Sequence, residues 1–332
     1  MEEESGYLIE LHATCNASSS AAMARTSNDP APLLISPQLW NQLASTGTSA
    51  HRVYSTPGGW IERLGDDLLL NYQTPALLSH LQAVWDQNAP SFSFSPQRIF
   101  GRLMPLQNAE RSAPVLLSGD PALPLETTVR ENQLRFGIDF SAGYSVGLFL
   151  DQRLNRSLLR SFAPRLLLNT FAYTCAFSVA AASQNAKTLS VDLSQKSLDR
   201  GRANFALNQL DPSSHRFLAE DVLELLPRLA RRREQFDTLI LDPPTFSRGH
   251  KGRRFRAEDD LQSLLLLALE VAAPRAHILL STNCTKLALP ELQTMARLCL
   301  KSARRSATLQ PSPPPPDFPP GAGSSTLWIH LQ

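Results

Sequence analysis

The sequence predicts an α/β protein: a doubly wound, largely parallel sheet covered by helices on both faces, preceded by a smaller α+β domain. Three observations carry that expectation. From Leu166 to Leu331 strand-like runs alternate with helix-like ones, the βαβ pattern of a parallel sheet. Acidic residues stand directly after strand-like runs, as at Asp192 and Asp242. The 332 residues, 42% of them hydrophobic, suffice for one large domain or two ordinary ones.

In chain order, residues 1–32 are rich in Ser, Ala, Thr and Asn without hydrophobic periodicity, which predicts a flexible extension. The smaller domain is expected over 33–124, with a part in substrate recognition suggested by analogy alone. Its strands lie between Arg52 and Tyr72 around the turn signals Pro57-Gly58-Gly59 and Gly65-Asp66-Asp67. A helix over Pro75–Trp85 and a strand near Ile99–Met104 follow, and a boundary falls near Pro124.

The main domain is expected over 125–332. It begins with a hairpin of Leu134–Phe140 and Tyr144–Phe149, turning at Ser141-Ala142-Gly143, and a helix over Asp151–Leu159. Strands are expected at Leu166–Thr170, Leu189–Asp192, Phe217–Ala219, Thr238–Leu241, His277–Ser281 and Thr326–Leu331. Helices are expected at Ala176–Ala182, Gln195–Asn208, Val222–Arg231, Asp259–Ala272 and Pro290–Leu300. Pro311, Pro313–Pro316 and Pro319-Pro320 predict a stiff polyproline connection between the last strands.

Composition excludes some function classes and leaves the substrate open. Lys plus Arg number 32 against 30 Asp plus Glu, so only a local basic patch can argue for nucleic acid. Cys15, Cys175, Cys284 and Cys299 lie far apart without a C-x-x-C pair, against both a disulfide framework and a metal site. No stretch approaches the roughly 20 apolar residues of a membrane helix, and Met1–Glu4 lacks the basic start of a secretory signal. The expected setting is soluble, reducing and cytoplasmic.

Four features fall at strand ends, where ligands bind in sheets of this kind. Asn169–Ser178 is a turn of small residues whose backbone N–H groups can meet a polar ligand at a helix N-terminus, although it lacks G-x-G-x-x-G. Asp192, about 20 residues on, can accept from both hydroxyls of a ribose, or simply cap the next helix. The same two readings apply to Asp221 after Glu220, here with an adenine amino group as donor. The most specific signal is Asp242-Pro243-Pro244-Thr245-Phe246. Consecutive prolines force an extended Asp242 and a rigid turn that holds carbonyls and a ring where a planar base can stack.

Together these residues resemble class I S-adenosylmethionine-dependent methyltransferases with a Rossmann-like sheet. From about Arg52 onward the chain resembles the bacterial large-subunit rRNA methyltransferase family that includes the cytosine-C5 enzyme. Phe140–Arg156, Asn169–Ser178 and Asp242–Phe246 are closest to that family's patterns. The resemblance implies S-adenosyl-L-methionine as cofactor. It implies that Asp192 with Leu193 holds the ribose, Asp221 with Val222 the adenine, and Asn169, Phe171, Tyr173 and Thr174 the methionine end. Phe149, Asp151, Gln152 and Arg153 would line the site. Two positions depart from the family pattern: Cys175 stands where Gly is usual, and Pro274-Arg275-Ala276 where Pro-Gly-Gly is usual.

Cys284, in Ser281–Leu287, follows the fifth strand and precedes Leu287 as the cytosine-C5 member's cysteine precedes a leucine. A thiolate there can add to carbon 6 of cytosine and make carbon 5 nucleophilic. The alternative for Cys284 is a buried structural residue, with a base nitrogen methylated at the Asp242–Phe246 loop. Arg228, Arg231, Arg232 and Arg233, and Arg248, His250, Lys251, Arg253, Arg254 and Arg256 beside the loop, offer phosphate contacts to an unpaired or flipped base of ribosomal RNA. The competing readings are a methyltransferase for a protein or small molecule, and a non-catalytic RNA-binding module. Oligomeric state is not legible.

Overall fold

The computed structural model describes residues 31–104, 112–143, 145–248 and 254–332. Residues 1–30 of the expected extension lie outside the described residues, as do Tyr144, His250, Lys251 and Arg253.

The described chain opens with β1 (Leu33–Leu34), α1 (Pro37–Ser45), β2 (Ala50–Thr56), β3 (Gly59–Leu64), β4 (Asp67–Tyr72), α2 (Pro75–Asn88), β5 (Arg98–Leu103) and β6 (Val115–Gly119). These strands form a six-stranded sheet in sequence order. Gly58 and Gly65 turn the two hairpins at φ +75° and +71°, conformations that cost a glycine least. Ser36 and Thr74 accept the Leu39 and Leu77 N–H groups, and each is followed by proline at the first helical position. The α2 crossover then lays β5 parallel to β4.

Next comes a hairpin of β7 (Glu126–Glu131) and β8 (Leu134–Asp139). The expected hairpin over Leu134–Phe149 is thereby corrected: Leu134–Asp139 pairs backward, and the turn is Asn132-Gln133. Both turn residues have positive φ, 48° and 71°, as a two-residue hairpin turn matching strand twist requires. At Ser141–Gly143 the Asp139 carboxylate instead captures the Ser141 N–H and hydroxyl, leaving residues 145–149 irregular.

The main sheet follows through α3 (Arg153–Ser161), β9 (Leu166–Thr170), α4 (Ala176–Ala182), β10 (Lys187–Asp192), α5 (Gln195–Leu207), β11 (Arg216–Ala219), α6 (Val222–Arg231) and β12 (Phe236–Leu241). A two-stranded ribbon of β13 (Phe246–Arg248) and β14 (Arg254–Arg256) leads to α7 (Ala257–Val271), β15 (Ala272–Thr282), α8 (Leu289–Ser302), β16 (Ala307–Ser312) and β17 (Ser325–Leu331). The strand order is β11-β10-β9-β12-β15-β17-β16. The first five strands are parallel, and β17 runs antiparallel to both neighbours. This is the doubly wound sheet read from the sequence, with β16 and the ribbon added. Pro311 lies within β16, a sheet edge where a missing N–H is tolerated. At Pro274-Arg275-Ala276 the arginine itself adopts φ +61°, and Arg305 donates to the Ala272 and Ala273 carbonyls.

One face of this sheet buries α6, α7 and α8; the other buries α3, α4 and α5 together with Ala50, Leu64, Leu69 and Phe100 of the first sheet. Phe100 stacks on Phe140 at 4.0 Å. The two sheets therefore share one apolar core. The proline-rich connection strengthens the join: its Asp317 accepts the Arg52 N–H at 2.9 Å and forms a buried ion pair with Arg153. Phe318 packs beneath the Arg52 guanidinium at 4.0 Å. Among the described residues, no helix is long and apolar enough to cross a membrane.

Candidate functional site

In the sheet the strand order reverses between β9 and β12, and the loops leaving their carboxyl ends part to leave a crevice, the usual ligand position in such sheets. The loop after β9 has an unusual backbone. Phe171, Tyr173 and Cys175 have φ of +51°, +47° and +60°, each a strain of about 1–3 kcal/mol for a residue with a Cβ. Surrounding bonds hold it there. The Ala172 N–H donates to the Val191 carbonyl, the Tyr173 hydroxyl to the Ser145 carbonyl and the Thr174 hydroxyl to the Gly147 carbonyl, while Asn204 Nδ2 donates to the Thr174 carbonyl.

Cys175, in the position where glycine is usual, keeps out of the crevice. Its side chain is fully buried, and a Cβ on Gly201 of α5 would lie 2.4 Å from its sulfur. The missing side chain at Gly201 is what leaves room for that sulfur. Burial pushes the Cys175 thiol up to about 12, so it is a packing group and not a nucleophile.

Asp192 ends β10 at the crevice. One carboxylate oxygen accepts the Tyr173 N–H and the other the Ser194 N–H, both at 2.8 Å. Ser194 is the residue that caps α5, accepting from Ser197. Burial raises the Asp192 carboxyl above its ordinary range, against the two backbone donors. Asp221 does cap α6 through Leu223 N–H, and with Phe171, Leu193, Glu220 and Val222 it also borders a small crevice.

Beyond β12, Asp242 faces a cavity of about 650 Å³ whose walls include Phe149, Asp151, Tyr173, Asp192, Pro243 and Phe246. Gln152, Phe171, Leu193 and Pro244 border it as well. The Asp242 carboxyl is raised to about 7, first by burial and next by the charge of Asp151; Ser281 and Arg156 act the other way. Part of the residue still opens onto the cavity. Asp151 is itself fixed, accepting from the Ser324 N–H and hydroxyl. Phe149 and Phe246, 40% and 47% exposed, present two rings at the rim. An adjoining crevice contains Asn169, Thr174 and Arg156, the last in a bidentate 2.6 Å pair with Glu131.

The fold thus gathers nearly all the residues named from sequence into one connected set of cavities. Arg153 and Cys284 do not line them. Arg153 is turned into the Asp317 pair, and Cys284, 8% exposed, packs in the cluster beneath α7 and α8 while its neighbour Asn283 lines the cavity. Asn283, Ser197 and Ser324 were missed by sequence reasoning. Asn283 was signalled by its adjacency to Cys284; Ser324 arrives only through the tertiary return of β17.

A sequence model of the S-adenosylmethionine-dependent methyltransferases matches residues 60–329. Ribosomal RNA large subunit methyltransferase I of Yersinia pseudotuberculosis is 38% identical over 166 residues, which are 49% of this chain and 41% of that protein. Its counterpart from Erwinia tasmaniensis is 33% identical over 251 residues, 71% of this chain and 60% of the relative. The chain therefore spans about half the length of the curated relatives it matches. A SAM-dependent methyltransferase structure from Agrobacterium tumefaciens superposes with a TM-score of 0.68 at 22% identity, covering 93% of this chain and 97% of that one, which is a likeness of fold.

Proposed function

The chain belongs to the S-adenosylmethionine-dependent methyltransferase family, and from that premise we propose that it methylates a base of large-subunit ribosomal RNA. The observation that carries the proposal is the single cavity where the Asp192 carboxylate, the Asp242 carboxyl and the half-exposed Phe246 ring meet. The names of the relatives support RNA as substrate. So do Arg254 and Arg256, exposed on the ribbon, with Arg256 directly opposite Phe246 in the ladder.

The donor set fits the family's cofactor. Each Asp192 oxygen accepts one backbone N–H and retains lone-pair capacity for a ribose hydroxyl. The crevice of Phe171, Leu193, Asp221 and Val222 suits the adenine, and Asn169, Tyr173, Thr174, Phe149, Asp151 and Gln152 suit the methionine end. When bound, S-adenosylmethionine supplies an electrophilic methyl group. Phe246 stacks on the target base and the Pro243 and Pro244 turn fixes its edge. Asp242, protonated below about pH 7, donates to a ring nitrogen.

For carbon 5 of cytosine the nucleophile is Cys284, one residue from the cavity wall at Asn283. Its thiolate forms a bond to carbon 6 and leaves carbon 5 nucleophilic. After carbon 5 has gained the methyl group, a base removes the carbon-5 proton and the carbon–sulfur bond breaks, returning the thiolate. The second reading, methylation of a base nitrogen without the thiol, is favoured by the packing of Cys284 into the apolar cluster. The deciding experiment is transfer of radiolabelled methyl to unmodified large-subunit rRNA by wild type and Cys284→Ala, followed by nucleoside analysis. Label in 5-methylcytidine, lost in the variant, assigns the thiol route; label on another base with an active variant assigns the nitrogen route. No label despite cofactor binding refutes large-subunit rRNA as the substrate and points to other substrates.

A further inference from the structure

The cavity at Asp242 takes part of its wall from the far end of the chain. Ser324, the residue before β17, lines that cavity together with Asp151 and Asn283. Its backbone N–H and its hydroxyl both meet Asp151 Oδ2, at 3.2 and 2.9 Å, across a sequence separation of 173. Asn283, just beyond β15, lies 2.9 Å from the same hydroxyl. A hydroxyl has a single proton to give, and a carboxylate is the stronger acceptor, so the proton goes to Asp151. Asn283, with its amide nitrogen turned to Ser324 Oγ, supplies that oxygen's own donor.

Gly323 closes the other flank. It sits at φ +85°, a conformation that glycine adopts freely. A Cβ there would lie 3.1 Å from Asp151 Cβ and 3.3 Å from Oδ2, tighter than ordinary van der Waals contact. The carboxylate is therefore gripped at one oxygen, between two donors of Ser324 and the bare face of Gly323. Among the described residues Oδ1 accepts no hydrogen bond and Asp151 has no ion pair. The arginines that follow it in α3 are committed elsewhere, Arg153 to Asp317 and Arg156 to Glu131.

Asp151 is thus an anion with a fixed position, one oxygen satisfied and one left for a donor from the cavity it lines. A carboxylate in that state matches an ammonium, which brings a compensating charge and several N–H donors at once. The family's cofactor has one such group, at its methionine end, and its adenosine part has none. We infer that Ser324, backed by Gly323, is a positioning residue for the cofactor: it holds Asp151 so that Oδ1 receives the ammonium of the methionine end. The inference rests on the placement of the methionine end at Asp151 proposed above, independently of RNA. It makes the return into β17 a determinant of cofactor affinity.

The test is calorimetric titration of the full chain, without RNA, with two ligands. S-adenosylhomocysteine carries the amino-acid end; 5′-methylthioadenosine has the same adenosine and lacks that end. Wild type is expected to bind the first more tightly. Ser324→Ala is expected to lose about five-fold or more in affinity for S-adenosylhomocysteine, the scale of one lost hydrogen bond, and to bind 5′-methylthioadenosine as wild type does. Ser324→Thr, which keeps the hydroxyl, is expected to restore the difference. In an Asp151→Asn background, Ser324→Ala should cost little more, because both act at one contact. Gly323→Ala is expected to give the same selective loss and carries the test should Ser324→Ala fold poorly. Equal losses for both ligands, wild-type affinity in Ser324→Ala, or full additivity with Asp151→Asn overturns the positioning role and leaves Asp151 as a ligand. A wild type without preference for S-adenosylhomocysteine, or a preference that survives Asp151→Asn undiminished, overturns the placement of the methionine end and the inference with it.

Discussion

Asp242 couples the proposed chemistry to stability, and Asp242→Asn isolates the coupling. In the unfolded chain the carboxyl titrates at its ordinary 3.8; in the fold it titrates at about 7. That difference, at 1.36 kcal/mol per tenfold change in proton affinity, amounts to about 4 kcal/mol. The sign follows from which state holds the proton. The folded state binds it more tightly, so the contribution is fully present below 3.8 and is lost as pH rises through about 7. Asparagine keeps the shape and cannot ionise. Unfolding by urea between about pH 4 and about pH 8 should therefore show wild type losing stability relative to the variant, by a ceiling of about 4 kcal/mol because water in the cavity relieves part of the burial. Parallel pH curves for the two proteins would refute the burial of an ionisable Asp242, and a wild type that gained on the variant would reverse its sign.

Three further outcomes follow from the geometry. Gly201→Ala places a Cβ 2.4 Å from the Cys175 sulfur and should cost about 1–3 kcal/mol, recovered when Cys175→Gly is added; additive losses in thermal melts would show that the two positions do not compensate. Asp317→Ala leaves Arg153 buried without its counter-charge and should cost about 3–5 kcal/mol in urea unfolding, whereas a loss below about 1 kcal/mol would mean that water reaches the guanidinium. Phe246→Ala, at a residue 47% exposed, should leave the melting temperature unchanged while weakening RNA binding by about 1–3 kcal/mol; unchanged RNA affinity would remove the ring from substrate stacking.

Much of the sheet was legible because strand and helix periods differ and parallel strands need intervening helices. The Val222–Arg231 helix emerged with the boundaries its pattern predicts. The hairpin register was not legible, since Asn132-Gln133 lacks the Asn-Gly signature while Ser141-Ala142-Gly143 has a glycine that turned out to serve a capped loop. Of the candidate site, the shared position of Asp192, Asp242 and Phe246 on one cavity wall was readable because each lies at or just past the carboxyl end of a strand of the parallel sheet, where such sheets leave their crevice. Arg153 shows the limit: sequence places it beside the site on α3, and only Asp317, 164 residues away, decides which way it points. The fate of Cys175 was likewise fixed by a glycine on another helix.

The Asp317 clasp also has a temporal side. During synthesis the chain segments bearing Arg52 and Arg153 leave the ribosome long before residue 317. Until it arrives, Arg153 and the Arg52 backbone N–H lack the carboxylate that both meet in the finished fold, while the apolar contacts of the seam, Phe100 on Phe140 among them, need nothing from residue 317. The Asp317 carboxylate is thus a late polar tie across a join whose apolar part is already encoded earlier in the chain. A cleft bordered by Arg52 and Phe318 takes one of its walls from this same late segment, so its shape depends on residues separated by more than 260 positions in sequence.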